Sequence, residues 1–194
     1  MHHLAGRRLA GYLLDCSGYL GICAALLPAG IATLRLTDLG SSRTYAYLIS
    51  AVPPALATLV AARAESGPHG ATWGKRRQGL RVVAVDAAEA AGGADGAGRA
   101  AMVDPTPLPL PRALLRSTVK IFVPWQLAHV TGIGAAWGGF ERGDRVTWTA
   151  TVLTYAGIGA FAVMGLRGSG RGPHDLAAGT AVVLSAPATG GRSR

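Results

Sequence analysis

An aspartate inside an apolar run is the residue of this chain best placed to do chemistry. Asp15 interrupts an otherwise uncharged stretch, residues 9–34, long enough to cross a bilayer. A charge at the centre of such a helix costs roughly 2.5–3.5 kcal/mol on insertion scales, so it is kept for a partner or a function. A carboxylate in that medium can load and release a proton or a monovalent cation. It can also be held by a cation. Arg8 stands seven residues earlier, on the same helical face but about 10.5 Å away along the axis. His129 is the titratable group of another apolar run, residues 121–140. A lone histidine there either packs with a hydrogen bond to a neighbour or belongs to an ion path.

These groups need elements to hold them, and the composition says which. The 194 residues are 49% hydrophobic and only 15% charged, against about 25% charged in a soluble domain. The charges cluster and leave four gaps, residues 9–34, 44–62, 121–140 and 146–166. A spanning helix needs about 20 mostly apolar residues. The expectation is an all-α membrane protein with four transmembrane helices, at about 9–34, 44–63, 118–140 and 146–166. A cleavable signal has an apolar region of about 7–15 residues, and an aspartate does not fit it. A soluble bundle would show polar outer faces at helical period, and these runs are apolar all round.

Basic residues orient the spans. With the N-terminus inside, 15 Lys or Arg fall on the cytoplasmic side and four outside. The expected location is the cell membrane, multi-pass, with both termini cytoplasmic. The net charge of +9 then rests against anionic lipid headgroups, and no nucleic-acid partner is expected.

Within this frame, Pro28 should kink the first span and Pro53 and Pro54 should bend the second, leaving carbonyls that need other partners. Residues 80–85 are β-branched and read as a strand. Residues 180–184 form a second such run, after a helical turn from Pro173 and a break at Gly179. The two runs share the cytoplasmic side and should pair. Residues 1–186 read as one membrane domain, with a flexible Ala/Gly-rich insertion at 87–104 and a disordered tail at 187–194. Arg112, Arg116 and Lys120 are four apart and form a basic stripe expected at headgroup level. Gly134 and Gly138 make a weak GxxxG pair.

No motif pairs a nucleophile with a base, and no Walker loop or zinc signature is present. An enzyme is not expected, nor a cofactor or metal. Cys16 and Cys23, seven apart on one helix, are too distant to bridge each other.

Three segments together resemble the RDD family of small bacterial membrane proteins, named for one arginine and two aspartates. They are RLAGYLLD, with Arg8 and Asp15; GATWGKRRQGLRVV, with Gly70, Thr72, Gly74 and Lys75; and HDLAAGTAVV, with Asp175. They occur in family order, with apolar spans between them. The stretch after Val85 is longer than the family's usual connection. The resemblance implies a four-span fold and marks Arg8, Asp15 and Asp175 as its defining residues. It names no substrate, although transport of an unknown ligand and cation/proton exchange have been suggested for the family.

Two functions follow. One is transport of an ion or small ligand through a polar site around Asp15, with Asp175, Arg8 and His129 as further ion or proton groups. Four spans make a narrow pathway unless the chain forms a homo-oligomer. The other is a non-transporting structural or assembly partner, in which Arg8, Asp15 and Asp175 clamp the helix ends.

Overall fold

The computed structural model describes residues 3–85 and 106–185, so the insertion at 87–104 and the tail at 187–194 lie outside the described residues. The chain is mostly helical, with one small antiparallel sheet. α1 (Ala5–Leu36) runs 32 residues without a break, with Pro28 inside it. The second apolar run is not one smooth helix. It divides into α2 (Arg43–Ser50) and α3 (Val52–Glu65) at Ala51. The expected double-proline bend thus becomes a helix start, with the prolines in the first turn of α3. Missing N–H groups cost least there.

α4 (Trp73–Arg77) is a short helix leading into β1 (Leu80–Ala84). α5 (Leu110–Ser117) continues through a wide π turn, Thr118–Phe122, into α6 (Val123–Ala136). The wide turn has a sequence cause. Pro124 cannot donate to the carbonyl four residues back, so the backbone reaches one residue further, with the Val123 N–H bonded to the Thr118 carbonyl. α7 (Arg145–Leu166), α8 (Pro173–Ala178) and β2 (Thr180–Leu184) complete the chain.

Three segments are long and apolar enough to cross a membrane: α1, the α2–α3 pair and α7. The inward positions of α1 are Ala5, Gly11, Asp15 and Tyr19. Most of its leucines point out; Leu9 and Leu13 are 59% and 60% exposed. This is the reverse of a soluble helix, which hides its leucines and shows its charges.

β1 and β2 pair antiparallel, Leu80 opposite Leu184 and Ala84 opposite Thr180. The pairing expected from the two β-branched runs is present. Gly79 and Gly179 begin the strands from the left-handed region, where a side chain would be strained. The sheet packs Leu80, Val82 and Val182 against Leu4, Ala62, Leu108 and Ala113. That cluster ties the start of α1, the end of α3 and α5 into one layer. A second cluster joins Tyr19, Ala57, Ala61 and Ile121 between α1, α3 and the π turn.

At the other end of the helices, Asp144 caps α7 through the Val146 N–H and binds both Arg43 and the Thr147 hydroxyl. Arg43 holds this carboxyl down to about 2, with the Thr147 hydroxyl contributing. Gly134 and Gly139 give Thr147 its room, because a Cβ at either would fall 2.1 or 2.4 Å from its Oγ1. The expected partner of Gly134, Gly138, instead makes a left-handed turn at φ +64°.

Candidate functional site

Asp15 faces inward, as its depth in α1 predicts, but its partner is not Arg8. Its Oδ2 accepts from the Thr72 hydroxyl at 2.6 Å and its Oδ1 from the Gly74 N–H at 2.8 Å. The first amides of a helix have no intrahelical acceptor, so one carboxylate of α1 caps α4 from outside. The approach demands glycine at position 74 and leaves little room at Gly11. A Cβ at Gly74 would stand 2.1 Å from the Gly11 carbonyl oxygen and 2.8 Å from Asp15 Oδ1. Lys75 Nζ lies 3.9 Å from Asp15 Oδ2 and 2.8 Å from Glu65 Oε1. Of the four loop residues singled out, Thr72, Gly74 and Lys75 therefore surround Asp15. Gly70 serves the sheet instead. Its carbonyl accepts from the Val82 N–H at 2.7 Å, from a left-handed turn at φ +57°.

Glu65 carries the network from Lys75 to Arg116. Arg116 Nη1 binds both oxygens of Glu65 at 2.7 Å. Its Nη2 and Nε bind Asp175 Oδ1 at 3.0 and 3.2 Å, and Nε also reaches Thr180 Oγ1 at 3.2 Å. Arg116 is 0% exposed. The basic stripe expected at headgroup level is thus corrected. Its middle member is the hub of the core, because α5 lies between α3 and α8 and turns this side chain inward.

Asp175 closes the chain of charges. Its Oδ2 takes Arg8 Nη2 at 2.8 Å, and Arg8 also donates to the Gly170 carbonyl. Arg8 therefore pairs with the second aspartate, and the direct Arg8–Asp15 contact of the expected clamp does not form. A helix places the two side chains too far apart, and Asp175 stands nearer to Arg8. Asp175 also accepts from the Gly172 N–H at 3.3 Å at the start of α8 and from the Thr180 hydroxyl at 3.1 Å. Burial would raise its carboxyl, but Arg116, His174 and Arg8 outweigh it and hold the group well below the usual range. The same balance raises Arg116: burial opposes its charge, while Glu65 and Asp175 more than offset that. His174 stacks on Phe161 at 5.4 Å with its Nε2 3.3 Å from Asp175 Oδ2. Burial, followed by the Arg116 charge, pushes it down to about 3, so it is neutral at physiological pH.

The result is a line of alternating charges: Asp15, Lys75, Glu65, Arg116, Asp175, Arg8. It joins α1, α3, α4, α5 and α8. The sequence pattern did not single out Glu65 or place Arg116 in a core. A signal was there, since Glu65 is the first acid after the second apolar run. Its partner lies 51 positions further on, beyond reach of any local pattern.

His129 is not part of this network. Its Nδ1 meets the Ser50 carbonyl at 3.0 Å and its Nε2 accepts from Trp125 Nε1 at 3.2 Å. The Ser50 carbonyl is the one that Pro54, four residues on, cannot satisfy. Gln126 Nε2 likewise reaches the Tyr47 carbonyl at 3.3 Å. Together they repair the break between α2 and α3. Among the described residues no group of three His, Cys, Asp or Glu could hold a metal, and Cys16 and Cys23 are both free. No protein-family model, curated protein or solved structure matches the chain.

Proposed function

We propose that this chain is a multi-pass membrane protein of the RDD type, with four spans and both termini cytoplasmic, that acts as a structural or assembly partner and carries no flux. Its ionic network works as a clamp. It fixes the cytoplasmic ends of α1, α3 and α5 to the α4 loop and to the α8–β2 tail, and so presents a rigid cytoplasmic face. The remaining span, at about residues 118–140, begins at the π turn and runs through α6. The RDD reading rests on the three motifs and is supported by how they meet: each contributes to one line of charges.

The observation that carries the clamp is saturation. Asp175 is 0% exposed and its two oxygens accept from Arg116, Arg8, Thr180 and the Gly172 amide. A carboxylate offers about four acceptor sites, and all are in use. Glu65 is 1% exposed and shared by two cations. An exchanging site needs an oxygen turned toward its ion.

Transport of a proton or monovalent cation is the second reading, and one observation favours it. Tyr19 Oη and Thr58 Oγ1 are buried without a hydrogen-bond partner among the described residues. They lie on the helices that carry Asp15 and Glu65, further into the spans. Buried hydroxyls are almost always bonded to protein or water, so these two would suit a hydrated path, one wide enough for ions if several copies assemble.

Purified protein in liposomes separates the two. The clamp expects no proton-coupled Na⁺ or K⁺ flux, and an Asp15→Asn variant that is less stable. Flux in the wild type that Asp15→Asn abolishes, with the variant still folded, would overturn the clamp in favour of transport.

A further inference from the structure

Lys120 is left over when the network's charges are balanced. Three carboxylates (Asp15, Glu65, Asp175) meet three cations (Lys75, Arg116, Arg8), and the line is neutral without further help. Lys120 lies within electrostatic reach of Asp15, Glu65, Lys75 and Arg116, yet no described carboxylate comes within ion-pair distance of it. Its place has a cause in the backbone. The π turn Thr118–Phe122 adds a residue to the helical repeat, so Lys120 points toward Tyr12 and not along the line that Arg116 takes.

Its ammonium instead lies 5.2 Å from the centre of the Tyr12 ring. Tyr12 is 42% exposed and sits between Leu9 and Leu13, which are more exposed still. The ring thus stands on the outward, apolar side of α1, between the levels of Arg8 and Asp15, and the partly exposed Lys120 reaches it from the side of the network. A half-buried ammonium beside exposed leucines needs an anion that arrives with an apolar body attached.

We propose that Lys120, seated over Tyr12, binds the phosphate of an anionic phospholipid at the edge of the neutral network. This rests on the membrane reading given above. Tyr12 holds the ammonium by its ring face, Leu13 and Leu20, further into the span and both exposed, lie along the acyl chains, and the lipid's negative charge offsets a cation that the network does not. Each cation near an anionic surface contributes on a scale that corresponds to about a fivefold change in binding.

The test uses the full chain. Alkaline carbonate extraction of membranes comes first: release of the chain into the soluble fraction would sink the membrane reading and the site with it. With the chain retained, native mass spectrometry of the detergent-solubilised protein measures phosphatidylglycerol against phosphatidylcholine. Phosphatidylglycerol should be preferred. Lys120→Met should bind it about fivefold more weakly and Lys120→Arg should keep it. Equal retention in Lys120→Met, or displacement of the lipid by inorganic phosphate, overturns the proposal while leaving the membrane reading intact. Should Lys120→Met not fold, Tyr12→Leu removes the ring and leaves the charge. A loss of about twofold is then expected, and unchanged retention overturns the proposal.

Discussion

Arg116→Met is the sharpest perturbation of the network. The substitution keeps much of the volume and removes all five hydrogen bonds of the guanidinium, two to Glu65, two to Asp175 and one to Thr180. What it leaves behind sets the magnitude. Glu65 keeps Lys75 alone, and Asp175 keeps Arg8, Thr180 and the Gly172 amide. Removing one partner of a buried ion pair costs about 3–5 kcal/mol, chiefly because the other charge stays buried. The surviving partners place the loss near the lower end, about 3 kcal/mol. For a chain of this size that lowers Tm by roughly 6–12 °C. Arg116→Lys should lie between, since an ammonium cannot span two carboxylates as a guanidinium does. Thermal unfolding in detergent, followed by circular dichroism, reads the shift. Adding Glu65→Gln to Arg116→Met should cost less than the sum of the two single changes. A loss below about 1 kcal/mol for Arg116→Met, the scale of an exposed pair, would refute the idea that the network is dry and clamps the fold.

Two further outcomes follow. His174 binds its proton less readily in the folded protein than in the unfolded chain, so unfolded molecules take up more protons between about pH 6.5 and pH 3. Stability should therefore be fully present above about pH 6.5 and fall as the pH drops through that window. Asp175, also depressed, adds to the fall only below about pH 4. His174→Gln should flatten the slope between pH 6.5 and pH 4 in a urea titration, and an unchanged slope would exclude His174 as its source. His129→Leu strips the Ser50 carbonyl of its donor and should cost about 1–3 kcal/mol. Pro54→Ala, which returns a backbone N–H to that carbonyl, should recover part of the loss, and a purely additive double variant would count against the repair.

What could be read from the sequence divides by the range of the interactions. The strand pair was legible because two β-branched runs, each local, were placed on one side by counting spans. The inward aspect of Asp15 was legible because a lone carboxylate in a long apolar run finds polar partners only on the packed side of its helix. Its partner was not legible. Half of what holds Asp15 is a backbone amide, at Gly74, and an amide carries no residue code. The four-residue spacing of Arg112, Arg116 and Lys120 misled for a physical reason: equal spacing gives one face only while the helix keeps its pitch, and the π turn before Pro124 changes the pitch between Arg116 and Lys120. The double proline signalled a break, but which side chains would mend it depended on α6 lying alongside.

The Arg8–Asp175 bond spans 167 positions, and that separation has a consequence in time. At roughly 5–20 residues per second, Arg8 leaves the ribosome about 8–30 s before its partner. Arg116 meets Glu65 early but must wait for Asp175 and Thr180. Until the α8–β2 segment arrives, two guanidinium groups lack an acid that the finished fold supplies. The α8–β2 segment, made after the rest of the network, therefore works as a latch on a nascent bundle. A chain that stalls before it would leave both arginines incompletely compensated, a state that quality-control proteases acting on membrane proteins could distinguish from the closed form by charge alone.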